Sequence, residues 1–302
     1  MMISSRAACA AAAFVVSALS GTAYAQTFHN KDGAIHFMYT PGYAEKIGRV
    51  PNQDAGEMEY FGGTVFAEVN VVSVIWGRGV NTQTVHGMPG FLKALPNSTF
   101  QDQLGQYSTK GLNGVTGHKG SNQTIKRGTF YGQVVIEPHN KKTTLTDRQV
   151  HDELIYQIAQ GNLPAQNPNM LYMIYFPSDV TITAFGLQSC SAFGAYHFAS
   201  HRHQHPRSEN VFYGVMPDCG YSFTSHTIIS AHEFAEATSD NIPTPGSNPN
   251  YPQAWNNAAG FEIGDLCEGT QGQLTTKKNT YFVQQVYLNS TAACSTGNYH
   301  SP

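Results

Sequence analysis

Residues 170–183 read MLYMIYFPSDVTIT, an almost unbroken apolar run, too short to cross a membrane and rich in aromatic and β-branched side chains. Such a run is expected as a strand lying deep in a sheet. Immediately before it, LTDRQVHDELIYQIAQGNLP has the marks of a helix. Thr146 or Asp147 can accept bonds from the first free N–H groups, Val150, Leu154, Ile155 and Ile158 share one face, and Gly161 closes it. Strand and helix in alternation predict an α/β or α+β fold with a mixed twisted sheet. Further strands are expected at Phe61 to Gly77, as a pair around Gly128 and Gly132 within Thr124 to Ile136, at Val211 to Met216 and at Tyr281 to Leu288. A short amphipathic helix is expected at Pro89 to Leu95.

The first 25 of the 302 residues read differently. One early charge (Arg6), an apolar run from Ala7 to Leu19 and the small-residue triplet Ala23-Tyr24-Ala25 are the pattern of a secretory signal peptide. The run is shorter than the roughly 20 residues a spanning helix needs, and no later stretch reaches that length, so an exported chain with no membrane span is expected. Residues 26–60 then read as a polar leader and 61–302 as a single domain, with no internal repeat or linker. Only 12% of residues are charged, and no basic run or acidic tail occurs, which argues against a nucleic-acid partner. Glycine (29) and proline (15) together exceed a seventh of the chain, which implies many turns around a sheet-rich core.

Cys9 falls in the signal segment, leaving Cys190, Cys219, Cys267 and Cys294. In an exported chain an even count reads as two disulfides. Three connectivities exist, of which we favour Cys190–Cys219 and Cys267–Cys294. No CxxC pair supports a four-cysteine zinc site.

The segment TIISAHEFAEATSD, Thr227 to Asp240, is expected to be a helix, started by Ser230 or an earlier polar residue. His232, Glu233 and Glu236 spell HExxE. Residues four apart project from one helix face, so His232 and Glu236 have the spacing with which HExxH helices hold zinc, a carboxylate replacing the second histidine. Glu233 would be the general base for a water on the metal. The third ligand is expected from FEIGDLCEG, with Glu262 ranked above Asp265. Against this stands the plainer reading that an i, i+4 acid–histidine pair is surface charge, although the flanks are apolar and the chain has only 20 acidic residues. The tract YHFASHRHQH carries His197, His201, His203 and His205; between aromatic neighbours, His197 is the member expected to point inward and is an accessory candidate. No GxSxG elbow favours a serine nucleophile.

Taken in order, FGGTVFAEVNVVSVIWG, LTDRQVHDELIYQIAQGNLP, LYMIYFPSDVTIT, CSAFGAYHF, AHEFAEATSD, EIGDLCEG and YFVQQVYLNSTAAC resemble the blocks of the phosphate-induced protein/EXORDIUM family, from Phe61 to Cys294. The resemblance implies an extracellular protein. For microbial members with the HExxE helix and an EIGDxC segment, it also implies a zincin-like metallopeptidase acting on a peptide or protein substrate, with His232, Glu233 and Glu236 in the site and Glu262 or Asp265 beside them. Plant members, linked to growth and cell-wall responses, lack the His-Glu pair. The sequence departs from the family at Asn241, where a proline often follows the aspartate. Two functions are therefore carried forward: a secreted, or periplasmic, zinc peptidase with one ion per chain, and a non-catalytic protein that binds a cell-wall polymer and holds a structural metal.

Overall fold

The computed structural model of the chain describes residues 37–48, 56–200, 210–243 and 251–297. The signal segment 1–25 and His201, His203 and His205 lie outside the described residues.

A six-stranded mixed sheet forms the centre. Its strands in chain order are β1 (Phe37–Tyr39), β2 (Asn70–Trp76), β3 (Thr129–Ile136), β4 (Met170–Tyr175), β5 (Phe193–Ser200) and β6 (Val211–Met216). Across the sheet they run β1-β5-β6-β4-β2-β3. The pairs β6–β4, β4–β2 and β2–β3 are parallel, whereas β1–β5 and β5–β6 are antiparallel. Helices α1 (Thr82–Ala94) and α3 (Phe223–Ser239) pack on one face and α2 (Asp147–Ala159) on the other.

Two-sided cover explains why β4 reads as a continuous apolar run. Leu171, Met173 and Tyr175 enter the core under α1 and α3, while Met170, Tyr172 and Ile174 enter the core under α2. Strand β5 divides in the same way over its regular part, with Ala195 and Ala199 on the α3 side and Tyr196 on the α2 side. His197 therefore faces α3.

Several elements differ from their sequence expectation, each for a local reason. The run at 170–183 is two strands, because Pro177 ends pairing in the central sheet and Thr181–Ala184 joins a separate three-stranded sheet. Within Phe61 to Gly77 only Asn70–Trp76 is central strand. The preceding turn-rich backbone packs irregularly, and Gly63 leaves no room for a Cβ, which would stand 2.0 Å from the Pro252 carbonyl oxygen. The expected strand pair at Thr124 to Ile136 is one strand with a bulge, where β3 slips register against Val71 and Val72 and Gly132 takes a φ of 148°. Helix α1 begins well before Pro89, capped by the Asn81 side chain. The proline withholds an N–H from the Val85 carbonyl, and the Gln133 side-chain amide donates to that oxygen instead at 3.0 Å. The segment read as a leader supplies β1 at the sheet edge.

Helix α2 follows its expectation closely, with a reciprocal cap between Thr146 and Gln149 at its start. Both favoured disulfides are present, Cys190–Cys219 and Cys267–Cys294, spanning 29 and 27 residues. Each removes about 3.6 kcal/mol of loop entropy from the unfolded chain by the chain-entropy model. Among the described residues no helix is long and apolar enough to cross a membrane.

Candidate metal centre

Helix α3 begins at Phe223, ahead of the expected Thr227. Of the two starts expected, Ser230 or an earlier polar residue, it uses the earlier: Ser222 is the cap, its side chain accepting from the Ser225 N–H, while Ser230 lies mid-helix and bonds the Tyr175 hydroxyl at 3.0 Å. The helix is buried on nearly every side, held between β5, β6 and a hairpin of β7 (Gln271–Thr275) and β8 (Thr280–Gln284). Consequently His232 and Glu233 are fully buried and Glu236 is 1% exposed. They do not form a solvated surface pair.

His232 Nε2 stands 3.1 Å from Glu236 Oε2, the one-turn proximity that the i, i+4 spacing requires. The acidic segment lies directly against this pair. The Asp265 backbone N–H donates to Glu236 Oε1 at 3.0 Å, and Asp265 Oδ2 accepts the Glu262 N–H at 3.1 Å. Gly264 makes that approach possible, because a Cβ there would stand 2.7 Å from Glu236 Oε1 and 2.8 Å from His232 Nδ1. The Cys267–Cys294 disulfide ties down the end of the segment.

His232, Glu236 and Asp265 bring one ligand atom each within 4.8 Å of one another. Asp265, ranked second from sequence, is thus the acid grouped with the HExxE pair. Glu262, fully buried, falls in a different group with Glu236 and His197. His197 reaches across from β5, its Nδ1 3.3 Å from Glu233 Oε2 and its Nε2 3.1 Å from the Asp240 carbonyl oxygen.

Two participants carried no sequence signal as site residues. Asp240, at the C-terminus of α3, accepts the Ala254 N–H at 3.0 Å and the Asn256 amide at 2.7 Å with its carboxylate. Gln284, on β8, places its amide nitrogen 2.8 Å from both His232 Nδ1 and the Gly264 carbonyl oxygen. The spacing of β8 from α3 is a tertiary fact that no local pattern encodes.

Five carboxylates (Glu233, Glu236, Asp240, Glu262 and Asp265) and two imidazoles thus converge in the dry interior, where uncompensated charge is costly. Burial pushes the Glu236 carboxyl up and Glu262 well up, the latter raised further by Glu236, Asp240 and Asp265. Burial pulls His232 down, but the charges of Glu236, Glu233 and Asp265 outweigh it and hold the imidazole up at about 10. The cluster therefore attracts positive charge.

No family model matches the chain, nor does any curated protein or solved structure.

Nitrogen and oxygen donors in this mixture suit a divalent metal ion, zinc among them. The buried His232 Nε2 is turned toward Glu236, 3.1 Å from its Oε2, so one ion could draw on both groups. Coordination through Nε2 places the ring proton on Nδ1, which then needs an acceptor. Gln284 supplies one when its amide rotates to present Oε1, a rotation that gives up the bond its Nε2 donates to the Gly264 carbonyl oxygen. Gln284→Leu removes that acceptor and is expected to weaken zinc affinity about 10- to 100-fold, measured by competition with a chromophoric chelator.

Proposed function

We propose that the chain is an exported zinc-dependent hydrolase of peptide bonds, with His232, Glu236 and Asp265 holding the ion and Glu233 as general base. The observation that carries this reading is the burial of the whole HExxE triplet against the acidic segment, which removes the surface-charge explanation. The resemblance to microbial members of the phosphate-induced protein/EXORDIUM family points the same way, and two disulfides fit an oxidising, exported setting.

A bound zinc ion would make water more acidic and polarise a peptide carbonyl. The rest falls to this chain. The Glu233 carboxylate would take the proton from water and return it to the leaving amine, and His197, 3.3 Å away, would fix the carboxylate's orientation. With two carboxylates and one imidazole as ligands, the ion's charge is largely neutralised, so acidification of water is weaker than in an all-histidine site.

One observation favours the second reading, a non-catalytic extracellular or wall-associated protein with a structural metal. His232, Glu233 and Glu262 are fully closed from solvent, whereas a peptide must reach Glu233 to be cleaved. Glu233→Gln decides between them. On the hydrolase reading it keeps zinc and fold while lowering turnover of a peptide library at least 100-fold. On the structural reading the wild type cleaves nothing.

A further inference from the structure

His197 stands among oxygen atoms at both ring nitrogens. Nδ1 lies 3.3 Å from Glu233 Oε2 and 3.8 Å from Glu236 Oε2, while Nε2 lies 3.1 Å from the Asp240 carbonyl oxygen and 3.6 Å from Glu262 Oε1. An imidazole nitrogen beside carboxylate oxygens is the donor set that a divalent ion takes.

We propose that the cluster is a two-cation centre, with one divalent ion at His232, Glu236 and Asp265 and a second at His197, Glu236 and Glu262, the Glu236 carboxylate bridging them. The proposal rests on the ligand assignment made above for the first ion, but not on peptide hydrolysis. Three features support it. The second group, like the first, has one ligand atom per residue within 4.8 Å of the others, and Glu236 belongs to both. Its members come from three separate parts of the fold, β5, α3 and the segment before Asp265, and none is more than 1% exposed. Finally, carboxylate oxygens approach both ring nitrogens of His197, Glu236 Oε2 at 3.8 Å from Nδ1 and Glu262 Oε1 at 3.6 Å from Nε2. Carboxylate-bridged ion pairs serve hydrolytic chemistry on peptides and phosphate esters, in which both attacking and leaving oxygens need charge stabilisation.

The test is zinc titration of the chelated, full-length protein, with bound metal measured by elemental analysis after gel filtration. Two zinc per wild-type chain are expected, falling to one in His197→Leu and in Glu262→Gln, and to one in His232→Leu. One zinc in the wild type, unchanged by His197→Leu, would overturn the proposal and would leave the hydrolase reading intact. A second zinc that survives both His197→Leu and Glu262→Gln is bound elsewhere and also overturns it. Two site-bound ions without any peptide cleavage would uphold it while the hydrolase reading fails. Should the variants not fold, the wild type loaded with two equivalents of cobalt(II) answers alone. A spin-coupled pair gives less electron paramagnetic resonance intensity than two isolated ions, and undiminished intensity excludes the bridge.

Discussion

Stripping the metal from the protein is expected to lower its unfolding midpoint by about 10 °C, and by more at higher pH. The size follows from linkage. A ligand present at a thousand times its dissociation constant stabilises the folded state by about 4 kcal/mol, and in a domain of this size each kcal/mol moves the midpoint by about 2 to 4 °C. The pH dependence follows from the groups left behind. In the metal-free protein Glu262 and Glu236 have carboxyls raised by burial, and His232 is held up at about 10. A group whose folded value is raised contributes stability that is complete below its unfolded value and is lost as pH climbs through the folded one. For the two glutamates the loss begins above about 4.5, and for the histidine above about 6.5 and runs to about 10. All three act in one direction, so the metal-free protein weakens as pH rises. Zinc needs these ligands deprotonated, so its stabilisation grows over the same range. Calorimetric scans with and without chelator at pH 5.5 and pH 8.5 measure the gap. Equal midpoints at both values would mean that the cluster neutralises itself with protons and holds no metal.

The parts of this arrangement that were legible in the sequence are those encoded by local periodicity. The i, i+4 spacing of His232 and Glu236 depends only on helix geometry, and the apolar face and cap of α2 are likewise local. His197 was legible in principle, since alternation along β5 places it with Ala195 and Ala199 rather than with Tyr196. The strand boundaries could not be read in the same way. The segment before Asn70 carries Phe61, Val65, Phe66 and Val69 and so reads on into the strand, and its departure from the sheet is set by contacts with residues near Pro252 and Gln253, far along the chain. Ranking Glu262 above Asp265 relied on side-chain reach, whereas the backbone decides the matter. By bonding Glu236 Oε1, the Asp265 N–H draws the shorter side chain into the first group, and Glu262 is left facing β5. Gln284 approaches His232 across 52 positions of sequence, and nothing in its own strand marks it.

Gly264→Ala is expected to reduce zinc affinity about 10- to 100-fold and to destabilise the fold by about 1 to 3 kcal/mol, although it adds a single methyl group. Its backbone, with φ −77° and ψ −41°, lies in the right-handed helical region, so alanine meets no conformational penalty. The cost is steric. The added Cβ would stand 2.7 Å from Glu236 Oε1, 2.8 Å from His232 Nδ1 and 3.0 Å from His232 Cε1. None of these can yield cheaply, because His232 is pinned by Gln284 and Glu236 by the Asp265 N–H. The acidic segment has to retreat instead, which breaks a hydrogen bond to a buried carboxylate and carries Asp265 away from the other two ligands. Gly42→Ala, in the helix Pro41–Lys46, is the control: a Cβ there has nothing within 4 Å, so zinc affinity should stay within error of the wild type while the unfolding midpoint holds or rises slightly. Competition titration for zinc and denaturant unfolding of both variants supply the measurements. If Gly264→Ala binds zinc as tightly as the wild type, close apposition of the EIGD segment to α3 is not what assembles the site, and Asp265 loses its claim to be a ligand.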